Sequence, residues 1–449
     1  MKTRHIHIIT RIVAGAMSVL GLASCSISDW LSEMEPIWGN HNGNNTDRYP
    51  NEESRKVMLL YSAGYNSLTP YLKEDIEDLK SGWLPTANRS DDIVLVYSHF
   101  PESYGKYNVE TSPALVRLYT RDEATVADTL VVYPRGTISA SAQQLNTVLT
   151  YVEENFPAKS YGMIFSSHAT GYLPAGYYQK PEDYVFQAKM ARSRGYGLPT
   201  PVPYEEPEYD PSLPMTKSIG QDQVGESKAY VSYEIELQDF AEAIPMELDY
   251  FLFDACLMGG IETAYELRDK VKLLGYSQTE VLAEGFNYKE LTTHLLKNEE
   301  PDPYSVCKDY FTQYDIQTGV YRSATVSMID CSKLDNLTRV CRDLFSLYGD
   351  KISTLSSSKV QQFFRSSYHW FYDMESILIN AGATEEELAR LHAALDECVV
   401  YKAHTPEFMN SFTIHTFCGF SMYLPSRGSA ELDKYYKTLE WNKATRLVR

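Results

Sequence analysis

The sequence predicts an α/β fold: a central, mostly parallel sheet flanked by helices. Three observations lead there. Residues 57–61 (VMLLY), 93–97 (IVLVY), 161–165 (YGMIF) and 250–253 (YFLF) are short apolar runs without alternation, as expected of strands buried on both faces. Between them lie stretches with apolar residues at helical spacing, and alternation of this kind is the mark of a parallel sheet covered by helices. Two of the runs then end in polar chemistry, Ser166-Ser167-His168 and Asp254-Ala255-Cys256, where ligand crevices of open α/β sheets form.

The chain of 449 residues opens on Lys2, Arg4 and Arg11, followed by a short apolar stretch over 12–23 that is brief for a membrane span. It closes on Leu22-Ala23-Ser24-Cys25, which resembles the lipobox of bacterial lipoproteins and implies lipidation of Cys25. The alternatives are an ordinary secretory signal or an uncleaved anchor. The expected organisation is a lipoprotein signal peptide over 1–24, a polar tether over 25–54 rich in asparagine, and a folded domain over 55–449. The expected location is the bacterial cell envelope, with the lipid anchor as the one membrane contact. The formal charge of −19 becomes more negative once the leader leaves, which argues against nucleic acid and anionic lipid headgroups as partners. It suits cationic substrates.

Taken in order, residues 57–61 and 93–97 are strands, and 72–79 between them a helix with acidic residues along its exposed side. Residues 115–118 and 130–133 suggest a hairpin beside the main sheet. A helix over 139–156 carries Leu145, Val148, Leu149 and Val152 on one face and leads into the strand at 161–165. Residues 172–229 break the rhythm with prolines, tyrosines and glycines and no sustained period. This is a long insertion, and such loops are usually functional or disordered. A helix over 233–243 leads to the strand at 250–253, and 261–270 is amphipathic. Residues 273–276 and 324–329 continue the sheet, helices fill the stretch between Cys331 and Val400, and 419–424 completes it.

Six cysteines remain beyond Cys25: Cys256, Cys307, Cys331, Cys341, Cys398 and Cys418. None forms a C-x-x-C pair and no histidine sits at zinc-ligand spacing, so neither metal nor cofactor is expected. Cys256 could be an inert, buried small hydrophobe. It could equally be a nucleophile whose thiolate is favoured by the following helix N-terminus. His168 tips the choice, because two adjacent strands would bring a thiol and an imidazole to one rim, the pairing that thiol hydrolysis requires. His99, His294 and His415 read as surface or packing residues.

The segments SYGMIFSSHATGYLP and YFLFDACLMGG resemble those of the clostripain family of cysteine peptidases, relatives of caspases, gingipains and legumains. The likeness runs from about residue 57 to 425. It implies a caspase-like sandwich and a cysteine-type endopeptidase, with Cys256 as nucleophile, His168 as general base, and the amides of Ala169 and Cys256 as oxyanion donors. It further implies cleavage of peptides or proteins after Arg or Lys, with Asp254 and Glu284 as pocket acids and Glu280 as the substitute for Glu284. A carboxylate pair selects a guanidinium through charge-assisted hydrogen bonds. The family commonly has Asp-His-Gly where this chain has Ser167-His168-Ala169. An alternative is therefore a catalytically altered or inactive lipoprotein that works as a protein-binding module. Lys180, Lys189, Arg192 and Arg194 in the insertion are candidate self-cleavage sites.

Overall fold

Nine strands form one sheet in the computed structural model, which describes residues 55–449 apart from 88–90, 104, 107–108, 188–198, 200, 204–211, 217–221, 225–230 and 367. Cys25, the leader and tether, and Lys189, Arg192 and Arg194 lie outside the described residues. In chain order the strands are β1 (Lys56–Ala63), β2 (Ile93–His99), β3 (Ala114–Arg121), β4 (Ala124–Val132), β5 (Ser160–Ser166), β6 (Leu248–Asp254), β7 (Val271–Tyr276), β8 (Thr325–Asp330) and β9 (Val399–His404). Their spatial order is β9-β8-β7-β6-β5-β1-β2-β3-β4. The five strands from β7 to β2 are parallel, whereas β8 and β9 at one edge and β3 and β4 at the other are antiparallel.

The parallel centre follows from composition: every residue of β1 is buried, as are the last five of β5 and of β6. Tyr250 on β6 lies across Gly162 on β5, where the position of a Cβ would overlap the phenol ring. Glycine here permits the two strands to pair with a large ring between them. The expected hairpin is β3–β4, whose outer strand is largely exposed.

Two helical layers cover the sheet. On one side α1 (Thr69–Ser81) packs with α2 (Tyr288–Thr292) and α3 (Pro303–Asp315) meets the turn that follows α2. On the other, the helices at Ala142–Asn155, Leu237–Glu242 and Ile261–Leu267 contact one another in succession, and the short helix Glu440–Thr445 joins the last of them to the long helix Leu334–Ile352. The connection β1-to-β2 and the connections β5-to-β6 and β6-to-β7 run in opposite directions across the sheet, so right-handed crossovers deliver their helices to opposite faces.

Three details depart from the sequence reading. Residues 419–424 do not join the main sheet: Ser421–Met422 pairs with Tyr372–Asp373 in a separate two-stranded ribbon. The ninth strand is Val399–His404, part of which the sequence reading gave to the preceding helices. The helix expected over 233–243 is confined to Leu237–Glu242, because Val231–Tyr233 pairs with Pro201–Pro203 and Asp222–Val224 in a small insertion sheet.

Burial also strains carboxylates near the core. Glu262, in the first turn of the helix after Cys256, is fully buried, and its Oε1 accepts from the Tyr423 amide at 2.9 Å and the Tyr436 hydroxyl at 2.6 Å. Burial pushes its carboxyl up from 4.5 to about 7, against those two hydrogen bonds, which pull it down. A raised acid holds its proton in the folded chain where the unfolded chain releases it. Stability from this group is therefore full below about pH 4.5 and is lost as the pH rises through about 7. Glu262→Gln keeps an acceptor for both donors and carries no charge. It should gain on the order of 2–3 kcal/mol at pH 8 relative to pH 5 against the wild type. Urea unfolding at the two pH values checks this; an unchanged difference between them would assign the pH dependence elsewhere.

Candidate active site

The site is set by register. Ser62 on β1 pairs with Ser166 on β5, and Ser166 pairs with Asp254 on β6. His168 and Cys256 are each two residues beyond that last pairing, so two adjacent parallel strands deliver both side chains to one rim. The turns that follow also touch. Gly171 has φ +64°, and a Cβ built there would stand 2.6 Å from the carbonyl oxygen of Leu257. Leu257 itself takes φ 62°, a left-handed conformation costly for a branched residue. It persists because the turn is tied on both sides: the Leu257 amide donates to the Thr279 carbonyl at 2.9 Å and the Gly259 amide to the Ser277 carbonyl at 2.7 Å.

The stretch 277–281 thus cradles the cysteine turn, and it is itself pinned. Thr325 Oγ1 accepts from the amides of Gln278 and Thr279, both at 3.1 Å. The Gln278 side-chain amide donates to Ser327 Oγ and to the Gly419 carbonyl. From this cradle the Val281 amide donates to Cys256 Sγ at 3.0 Å, a hydrogen bond that strengthens when the sulfur carries negative charge. The helix beyond Cys256 begins only at Ile261 and spans seven residues, so the donor that reaches the sulfur comes from 281.

His168 is buried to 6% exposure, and its Nε2 lies 3.0 Å from Ser67 Oγ in the loop after β1. Ser167 donates its hydroxyl to the Ala63 carbonyl at 2.8 Å, which fixes the preceding backbone against β1. Ser67 is the residue that sequence reading missed. It stands 101 positions from His168, in a loop without a motif, and only the pairing of β1 with β5 brings it near. Ala169 and Gly171 line a small cavity of about 60 Å³ with His168, Phe165, Phe253 and Met258; Cys256 is not among its walls.

Asp254 has no exposed surface, and its Oδ2 accepts from Ser166 Oγ at 2.9 Å and from the Tyr288 hydroxyl at 2.6 Å. Burial, and then the Asp254 charge, push the Tyr288 phenol well above its ordinary value. Glu284 is exposed, beyond the cradle. Glu280 is buried to 1% and bound by Arg365, whose Nε is 3.1 Å from Oε1 and 3.0 Å from Oε2. Lys180 is half-buried in the turns that follow Tyr178.

Cys256 is fully buried. Tyr178, from the start of the insertion, lies within electrostatic reach of Glu280, Arg365 and Cys256, and its ring packs edge-on against Phe364 and Trp370. With Sγ fully buried, a peptide carbonyl reaches it only after neighbouring groups move. No disulfide joins the six described cysteines, and the described residues include no cluster of three or more His, Cys, Asp or Glu side chains that could hold a metal. Among the described residues no helix is long and apolar enough to cross a membrane.

The sequence model of the Clostripain family matches residues 60–184 and 206–446, well over half of the chain. Among solved structures, the chain is similar to an inactive zymogen C11 protease from Parabacteroides distasonis, with 24% identity and a TM-score of 0.68. It is also similar to a secreted C11 cysteine protease from Bacteroides thetaiotaomicron, iotapain, with 22% identity and a TM-score of 0.67. That secreted protease in complex with an irreversible peptide inhibitor matches with 21% identity and a TM-score of 0.64. Each likeness covers 88% of this chain and 99% of the other. No curated protein matches. At these identities the structures speak for the shared caspase-like fold.

The Ser67 contact yields a test of the imidazole's surroundings. Ser67→Ala leaves the packing intact and removes the hydroxyl from Nε2. Peptide turnover should fall about tenfold with little change in melting temperature. Turnover equal to wild type would mean that His168 needs no support from this side.

Proposed function

The chain belongs to the clostripain family and is a cysteine-type endopeptidase, and from that premise we propose that it is an envelope-anchored enzyme cleaving after Arg or Lys. The single observation that carries the reading is the register that sets His168 and Cys256 two residues beyond the paired ends of β5 and β6. Cys256 Sγ attacks the scissile carbonyl carbon, with negative charge on the oxygen met by the amides of Ala169 and Cys256. His168 carries the proton released by the thiol to the leaving amine as the C–N bond breaks. Water then cleaves the thioester, giving the acid and restoring the thiol.

Basic specificity rests on Asp254 and Glu284. Asp254 is fully buried and bridged by two hydroxyls, so a guanidinium or ammonium entering beside it meets a carboxylate that cannot swing away. Glu284 at the exposed edge would serve as the outer partner; Glu280, the substitute expected from the sequence, is already held by Arg365 and is the weaker choice. Lipidation at Cys25 would tether the domain to the envelope. One experiment covers these points. An arginyl acyloxymethyl ketone applied to intact cells should label Cys256 at least tenfold faster than a neutral analogue, and Cys256→Ala should take no label. Asp254→Asn should narrow the gap between the two reagents, and Cys25→Ala should release the labelled protein into a soluble fraction. Equal labelling by both reagents removes the basic specificity. No labelling of the wild type favours the alternative, a peptidase-like binding module, for which the full burial of Cys256 is the supporting observation.

Self-processing accounts for that same burial. The insertion begins within four residues of His168 and carries Tyr178 near Glu280 and Arg365, so a cut within it would free the chain beside the thiol. Loop backbone enters a cleft at small conformational cost. Arg192 and Arg194 are the preferred positions, flanked by small residues, and Lys180 is the second choice. The wild type should separate into two fragments on denaturing gels that co-migrate under native conditions, while Cys256→Ala stays whole. An active wild type that stays whole would exclude self-processing.

A further inference from the structure

The insertion also pairs with the stretch that follows the cradle. Where Glu280 to Ala283 runs on from the cradle, residues Met215 and Thr216 of the insertion lie alongside it as an antiparallel partner. The Ala283 amide donates to the Met215 carbonyl at 2.9 Å, and Thr216 bridges Leu282. The side chains have distinct berths. Met215 packs against the small apolar cluster of Leu68, Leu72 and Ala283, directly after the serine that touches His168. Thr216 donates its hydroxyl to Glu280 Oε1 at 3.1 Å, the carboxylate that Arg365 also holds. Val281, in the middle of this edge, is the residue whose amide reaches Cys256 Sγ.

An extended segment paired with an edge that contacts the candidate nucleophile has the form of a bound peptide: main-chain hydrogen bonds for affinity and alternate side chains in separate pockets. The described insertion is also anchored on the far side of the candidate pair. Asp222 Oδ2 accepts from the amides of Ser139 and Ala140, at 3.1 Å from the latter, and the Gln223 amide donates to the Tyr65 carbonyl at 2.8 Å. Thr216 is thus fixed beyond the end of β7 and Asp222 near the ends of β1 and β2, with β6 and β5 between them in the sheet.

We propose that the edge at 280–283 is a peptide-binding subsite with an apolar pocket at Leu68, Leu72 and Ala283 and a hydroxyl-accepting pocket at Glu280 and Arg365. Met215 and Thr216 hold it in the resting chain. The ligand class is an extended peptide with an apolar residue followed by threonine or serine. Glu280 then selects a residue upstream of the cut, and its guanidinium partner neutralises it, so this pocket does not compete for the basic side chain. The inference rests on the reading of Cys256 as nucleophile, since that makes the edge a substrate edge.

The test is made on the full Cys256→Ala chain, where binding is read without turnover. A fluorescein-labelled peptide copying residues 211–218 should bind in an anisotropy titration. A copy with valine at the threonine, the same shape without the hydroxyl, should bind about tenfold more weakly, the loss expected for a hydrogen bond to a charged group. Thr216→Val in the protein should tighten peptide binding, because it weakens the resident competitor. Glu280→Ala should remove the difference between the two peptides. Failure of the peptide to bind the Cys256→Ala, Thr216→Val chain would overturn the proposal. So would equal binding of the two copies, which requires no change in the protein's fold. A wild-type chain that cuts no peptide would instead remove the catalytic reading and leave the binding result standing.

Discussion

The candidate site depends on one set of hydrogen bonds, those between the turn at 256–259 and the stretch 277–281. A strand ending in a buried cysteine is common enough; a leucine held at φ 62° directly after it is not. That strain is balanced by amides of 257 and 259 donating into 277–279, and by Thr325 and Gln278 holding that stretch from behind. The same stretch supplies the amide that reaches Sγ and the edge that pairs with the insertion. Positioning of the thiol, the amide contact to its sulfur and the pairing with Met215 and Thr216 therefore rest on one segment. A change at Thr325, which touches neither thiol nor imidazole, acts on all three.

Electrostatics at the rim follow the same economy. The chain is strongly acidic overall, yet the carboxylates nearest the thiol are all occupied: Asp254 by Ser166 and Tyr288, Glu280 by Arg365 and Thr216. Burial raises the carboxyl of Glu262 to about 7 even with two donors. Hydroxyl partners differ from an ion pair in one respect. They donate to the carboxylate without carrying an opposite charge, whereas Arg365 sets a guanidinium against Glu280. The two acids flank the same thiol and offer different chemistry.

Much of this was legible in the sequence, and the reasons are local. Unbroken apolar runs mark strands buried on two faces, and His168 and Cys256 end two such runs, so their shared rim follows once the strands are neighbours. What the runs do not carry is partner identity. Residues 420–424 are entirely buried and read as sheet, but burial alone does not distinguish the main sheet from the ribbon with Tyr372–Asp373. The edge strand Val399–His404 follows a helix without a break and has the half-exposed pattern of an edge, so it carries no buried-strand signal. Ser67, Thr216 and Arg365 escaped notice for another reason: each reaches the site through a contact between segments separated by 64 to 101 positions, and no spacing rule spans that distance.

The insertion illustrates how an irregular segment acquires order. With three prolines in residues 199–203 and no apolar period, it cannot build a core of its own. The described parts borrow order from the sheet rim instead: Asp222 fills a pair of amide donors ahead of the helix at Ala142–Asn155, and Met215 lends its side chain to an existing apolar cluster. At its start the insertion also enters the main core, where Tyr172 and Tyr177 are fully buried and the Tyr172 hydroxyl donates to the Trp370 carbonyl at 2.7 Å. The edge that Met215 and Thr216 cover is the same one whose Val281 amide reaches the thiol, so the insertion and the cysteine turn share one supporting segment.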